Sequence, residues 1–204
     1  MKRVAGAGAL AAFVLAAGCV FRAPDQPRFF QPHSTMLAAS DDDPPDPGPH
    51  AVAVRLRGVR ALPFLGERIV WRVSDVEYGT YEQRRWFDLP AHYVDQALRT
   101  RLLATPGLRL SDDPHTPTIH VDVLAFDEML GASHAAAVTL AATLDDPSRG
   151  RLLERTFDAH VPVGDRDPAS VAKAMGEALD DAVAQVAEAL RTRLHAPHAR
   201  PSAR

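Results

Sequence analysis

The chain is nearly without cysteine and lysine. Cys19 is the sole cysteine among 204 residues. A single thiol closes no intrachain disulfide and forms no CxxC metal or redox pair. Lys2 and Lys173 are the only lysines, so 21 of the 23 basic residues are arginine. Against 26 acids the formal charge is -3, which excludes a strongly basic nucleic-acid binder. Catalytic motifs are missing as well. No G-x-G-x-x-G follows a strand-like run, and no P-loop occurs. Gly131-Ala132-Ser133-His134-Ala135 lacks the second glycine of a nucleophile elbow. Neighbours such as Ser133 and His134 point to opposite faces of a strand and make no dyad there. His115 and His120, like His195 and His198, bring no third ligand at a familiar zinc spacing. The acid pairs Asp112-Asp113, Asp145-Asp146 and Asp180-Asp181 are adjacent, which is turn or solvated-face behaviour. The expectation is a protein that is not an enzyme and carries no cofactor and no metal.

What is present begins with an address. Met1, Lys2 and Arg3 are followed by an uncharged run from Val4 to Val20 that contains Gly6, Gly8 and Gly18. A positive start, an apolar stretch and small residues describe a secretory signal. About 20 strongly apolar residues are wanted to span a bilayer, so a permanent anchor helix is not expected. Ala16-Ala17-Gly18-Cys19 resembles the lipobox of bacterial lipoproteins, with Leu15 one place further back than usual. That resemblance implies cleavage after Gly18 and acylation of Cys19, so that residues 1–18 are a lipoprotein signal peptide. Two or more acyl chains hold a protein stably on a membrane. Losing Lys2 and Arg3 takes the charge from -3 to -5, so a polybasic patch is not the anchor.

Residues 19–50 are expected to be the lipidated cysteine and a tether. Seven of the 17 prolines fall there, around Asp41-Asp42-Asp43-Pro44-Pro45-Asp46-Pro47. Proline lacks the donor for a helix or central strand, and the aspartates repel. Within it, Phe29, Phe30, Met36 and Leu37 are too apolar for a solvated leash and suggest a short edge strand. From residue 51 the chain becomes regular, and 46 % hydrophobic with 24 % charged residues suits one globular domain, 51–194.

Val52, Val54 and Leu56 alternate with Ala53, Arg55 and Arg57, and Ile69, Trp71 and Val73 alternate with Arg68, Val70 and Arg72. Period two is strand periodicity. Asp75 to Tyr81 suggests a partner strand. Asp88-Leu89-Pro90 suggests an acidic cap before a helix over 90–104, with Val94, Ala97, Leu98 and Leu102 on one face. Alternating runs around 119–123, 138–144 and 153–161, with a turn at 145–150, read as an antiparallel meander. Asp167-Pro168 opens a last helix whose stripe is Val171, Met175, Leu179, Val183, Val186, Leu190 and Leu194. That stripe suits core packing, with a partner helix as the other reading, so self-association is left open. The tail 195–204 is expected to be disordered. The predicted fold is α+β: an antiparallel-rich sheet with two helices packed on one face, a two-layer sandwich.

Several of these features together resemble the ABC-type transport auxiliary lipoproteins, the family of paraquat-inducible protein C. They are the lipobox, the strand Glu67-Arg68-Ile69-Val70-Trp71-Arg72, the run Tyr81-Glu82-Gln83-Arg84-Arg85-Trp86-Phe87-Asp88-Leu89-Pro90 ahead of the first helix, and the final helix with Ala174-Met175 and Leu179. The resemblance implies an accessory role in intermembrane lipid transport, on the periplasmic face of the outer membrane. The implied partners are an MCE-domain protein and its associated inner-membrane ABC transporter. No catalytic residue comes with it. Trp71, Tyr81 and Trp86 are its motif residues and become candidate partner contacts, against packing at the helix–sheet junction. Val20 lacks the aspartate that retains some lipoproteins at the inner membrane. The alternative is a lipoprotein that binds and regulates a periplasmic cell-wall or envelope enzyme.

Overall fold

The computed structural model describes residues 26–39 and 46–196. The expected signal peptide, Cys19 and residues 197–204 lie outside the described residues. The chain forms β1 (Arg28–Phe30), α1 (Thr35–Ala38), β2 (Val52–Ala61), β3 (Arg68–Arg72), β4 (Tyr78–Trp86) and α2 (Pro90–Leu103). It continues through β5 (Leu108–Leu110), β6 (Thr118–Met129), β7 (Ala135–Asp146), β8 (Gly150–Pro162) and α3 (Pro168–His195).

β6 is the spine. On one side it pairs antiparallel with β7, which pairs antiparallel with β8. On the other side β2 runs parallel to its first half, with Leu56 opposite Ile119. β3 then runs parallel to its second half, with Trp71 opposite Glu128. Beyond these, β4 pairs antiparallel with β3, β1 pairs parallel with β4, and β5 pairs parallel with β2. The meander and the two-layer α+β arrangement are as expected, but the sheet is mixed. Four of its seven pairings are parallel. Parallel partners need a long crossover, and no local pattern in the sequence announces one.

The two long helices cover one face. α3 buries Val171, Met175, Leu179, Val183, Val186, Leu190 and Leu194. Its stripe is therefore core, with nothing left over for a partner helix. Asp167 caps it, its carboxylate accepting from the Ala169 N–H at 3.3 Å. α2 starts differently from expectation: Leu89 is its N-cap and supplies no side-chain bond. Asp88 instead accepts from Leu89 N and lies 2.8 Å from His92 Nδ1. The Leu89 N–H, and then His92, hold the Asp88 carboxyl below its usual range. Among the described residues no helix is long and apolar enough to cross a membrane.

The region expected to be a tether is partly built into the domain. β1 lies on β4 with Arg28 opposite Arg84, which is the expected edge strand with a partner assigned. The His33 N–H donates to Ala172 O at 3.1 Å. The Asp180 carboxylate of α3 accepts from the Ser34 hydroxyl and, at 2.8 and 2.7 Å, from the Thr35 N–H and hydroxyl. Gly176 makes this contact fit: a Cβ there would stand 2.1 Å from the His33 carbonyl. The proline- and aspartate-rich stretch after Ala39 therefore joins two parts of one folded unit, α1 and β2.

Candidate interaction site

Trp71, Tyr81 and Trp86 go to different environments. Trp86 ends β4 and is 1 % exposed. It meets Phe126 edge-on at 5.3 Å and Tyr93 at 6.5 Å, and Tyr93 stacks on Phe126 at 6.4 Å. Such pairings add about 0.5–1.5 kcal/mol each beyond area burial. Trp86 is thus a core ring at the helix–sheet junction and offers no surface to a partner. Trp71 is half-buried on β3, its ring over Gly79 of β4, where a Cβ would come within 2.1 Å of it. Only glycine lets the indole lie that close to the neighbouring backbone.

Tyr81 joins a polar cluster that the sequence did not reveal. Arg84 lies over its ring at 4.2 Å. Its hydroxyl is pushed up to about 12 by burial and by a hydrogen bond to Glu128. Glu128 is 2 % exposed, with His134 Nε2 at 2.7 Å and Arg84 Nη1 at 3.9 Å. The preceding residue, Asp127, is equally buried and points to the opposite face of the sheet. Its carboxylate forms a close ion pair with Arg72 Nε at 2.8 Å. Burial raises the Asp127 pKa, opposed by Arg72.

Two consecutive buried acids on β6 are therefore each matched by an arginine, Arg72 of the adjacent β3 and Arg84 of β4 one strand further out. A buried charge without such a partner is strongly destabilising, so the pairs fix how β3 and β4 sit against β6. The available signal was Phe126-Asp127-Glu128-Met129, where acids interrupt an otherwise apolar strand. This geometry clamps the strands together. Ser133 is exposed and hydrogen-bonds to nothing among the described residues. No group of three metal-capable side chains occurs among them.

An apolar groove lies on the face of these strands that carries Arg72 and Asp127, away from the helices. Leu62, Phe64, Val70, Tyr78, Gly79, Thr80 and Leu124 line a groove of about 520 Å³. Phe64 and Tyr78 meet edge-on at 6.1 Å and are each about half exposed. A second groove, sharing Phe64 and Thr80, continues to Glu67, Arg68 and Arg85. Phe29 lies opposite Arg85 in register, and Phe87 is 75 % exposed. None of these rings except Phe29 was singled out in the sequence, because exposure depends on which strands cover which.

A family model described as the ABC-type transport auxiliary lipoprotein component matches residues 35–187. The fold is shared with solved structures. A crystal structure of a Xanthomonas campestris protein superposes with a TM-score of 0.66 at 18 % identity, covering 81 % of this chain and 96 % of that one. A second, uncharacterised protein gives 0.63 at 16 % identity, covering 81 % and 99 %. A hypothetical protein from Chlamydia trachomatis gives 0.52 at 11 % identity, covering 72 % and 99 %. No curated protein matches.

Proposed function

Because this chain belongs to the ABC-type transport auxiliary lipoprotein family, we propose that it is the non-enzymatic accessory of an MCE-type intermembrane lipid transport system. In this reading an acylated Cys19 holds it on the periplasmic face of the outer membrane. There it engages an MCE-domain protein, which works with an inner-membrane ABC transporter. The observation that carries the proposal is the family match, which runs from α1 through most of α3 and so takes in nearly the whole folded unit. The lipobox ending at Cys19 supports the anchor. The buried acids Asp127 and Glu128 fit a non-catalytic role, being paired with Arg72 and Arg84 of other strands.

Native co-purification tests the partner. With a C-terminal tag and mild detergent extraction, mass spectrometry should find an MCE protein in the eluate. A cell-wall or envelope enzyme in its place would move the function to regulation of that enzyme. Cys19→Ser tests the anchor separately. It should release a folded protein into the soluble periplasm, and retention on membranes at high salt would refute lipid anchoring.

A further inference from the structure

The exposed rings and the point where the chain enters the domain lie on the same strands. Nine residue steps separate Cys19 from Arg28, the first residue of β1. They span at most about 32 Å. β6 alone, with 12 residues, is about 40 Å long. The leash is therefore shorter than the domain. It cannot lengthen at the expense of residues 33–38, because His33, Ser34 and Thr35 are bonded to α3. The part of the domain nearest to an anchor at Cys19 is the β1–β4 edge.

The exposed aromatic residues gather at that edge. Phe29, Phe64, Tyr78 and Phe87 are 57, 50, 48 and 75 % exposed. Tyr78, Thr80 and Phe64 share one groove on the face away from the helices, and Phe64, Thr80, Arg68 and the Glu67–Arg85 ion pair share the next. Phe29 stands opposite Arg85, and Phe87 is two residues beyond it. The same face across β7 and β8 is instead polar, carrying Thr139, Thr143, Glu154, Thr156 and Asp158. Aromatic rings with an arginine nearby suit the boundary between acyl chains and phosphate headgroups. Exposed apolar patches of this kind mark contact sites.

We propose that the helix-free face of β1, β4 and β3 lies directly on the bilayer. Phe29, Phe64, Tyr78 and Phe87 enter the headgroup region, and Arg68 meets lipid phosphates, while Arg85 is held by Glu67 at 3.3 Å. This rests on the acylation of Cys19. The consequence is that the chain does not stand off from the membrane on a long spacer. The helices face away from the lipid, toward the periplasm.

The test uses the acylated full-length protein in phosphatidylethanolamine–phosphatidylglycerol vesicles. Acylation blocks Cys19, so one introduced cysteine takes one environment-sensitive fluorophore. Thr80→Cys places it among the rings without removing any of them. Gln96→Cys places it on the exposed side of α2. Spin-labelled lipids should remove most of the emission at position 80 and little at 96. The Phe64→Ser/Phe87→Ser double variant alters only exposed rings, so it should fold and still float with vesicles while losing the quenching at 80. Flotation with an unquenched, water-like signal at 80 would overturn the docking and leave the anchor intact, with a protein partner as the occupant of that face. Failure to float would overturn the anchor, and this orientation with it.

Discussion

The two sides of β6 differ in construction. On one side, β6, β7 and β8 have 12, 12 and 13 residues, follow one another in the chain and pair antiparallel beneath α3. On the other side, β1, β3 and β5 have only three to five residues, and the pairings are mostly parallel. Register shifts occur on both sides, near Arg57–Arg60 and Arg68–Val70 here and near Val123–Ala125 and Leu144–Asp145 in the meander. The first half holds itself together by local hairpins and a continuous apolar layer. The second depends on specific devices: a three-ring cluster, two buried ion pairs, and the clasp of residues 28–38 on α3. It is also the half that exposes aromatic surface. Stability and contact surface are thus divided between the two sides of the same sheet.

That contrast can be broken most severely at Trp86. Trp86→Ala removes the ring that joins β4 to α2 and β6, and should cost about 3–5 kcal/mol in urea denaturation. A variant that folds normally but loses a partner would return Trp86 to the surface role that its motif position suggested.

Next is the ion pair at Asp127. Arg72→Met leaves a buried carboxylate without its cation, which should cost about 3 kcal/mol at neutral pH. The sign with pH follows from the raised Asp127 pKa. A carboxyl whose folded pKa is raised stays protonated in the folded state to higher pH than in the unfolded chain. Stability is then lost as pH rises through that interval. The penalty of Arg72→Met should therefore shrink as pH is lowered from neutral and Asp127 takes up its proton. A penalty that does not change with pH would mean that Arg72 acts by packing alone.

The smallest effect is expected at Gly176. Gly176→Ala sets a methyl group against the His33 backbone and should cost about 1–3 kcal/mol by forcing the clasp to shift. Hydrogen exchange should rise at residues 33–37 while β7 and β8 keep their protection. Exchange rising uniformly instead would show that the clasp and the meander are one cooperative unit.

The half that was legible in the sequence is the local one. Period-two alternation located β2, β3, β6, β7 and β8, and the stripe from Val171 to Leu194 located α3 together with its buried face. These features survive because each depends on neighbours along the chain. β5, with only three residues, carries too little pattern to register. Tyr81 to Trp86, read as the approach to α2, is part of β4, since a bulged strand loses strict alternation. The candidate site was less legible still. Trp71, Tyr81 and Trp86 were visible as large rings, but their burial was not.

The sequence by itself determined the two long helices, the antiparallel meander and the capping of α3 by Asp167, because hydrophobic period and capping motifs are written in consecutive residues. Only the tertiary structure decided that β2 and β3 share one side of β6, that residues 28–38 belong to the domain, that Asp127 and Glu128 need Arg72 and Arg84, and that Trp86 is inside while Phe64 and Phe87 are outside. Each of those outcomes is a pairing between residues far apart in the chain. Burial is set by what such pairings bring to cover a side chain, and a residue's own neighbours do not specify it.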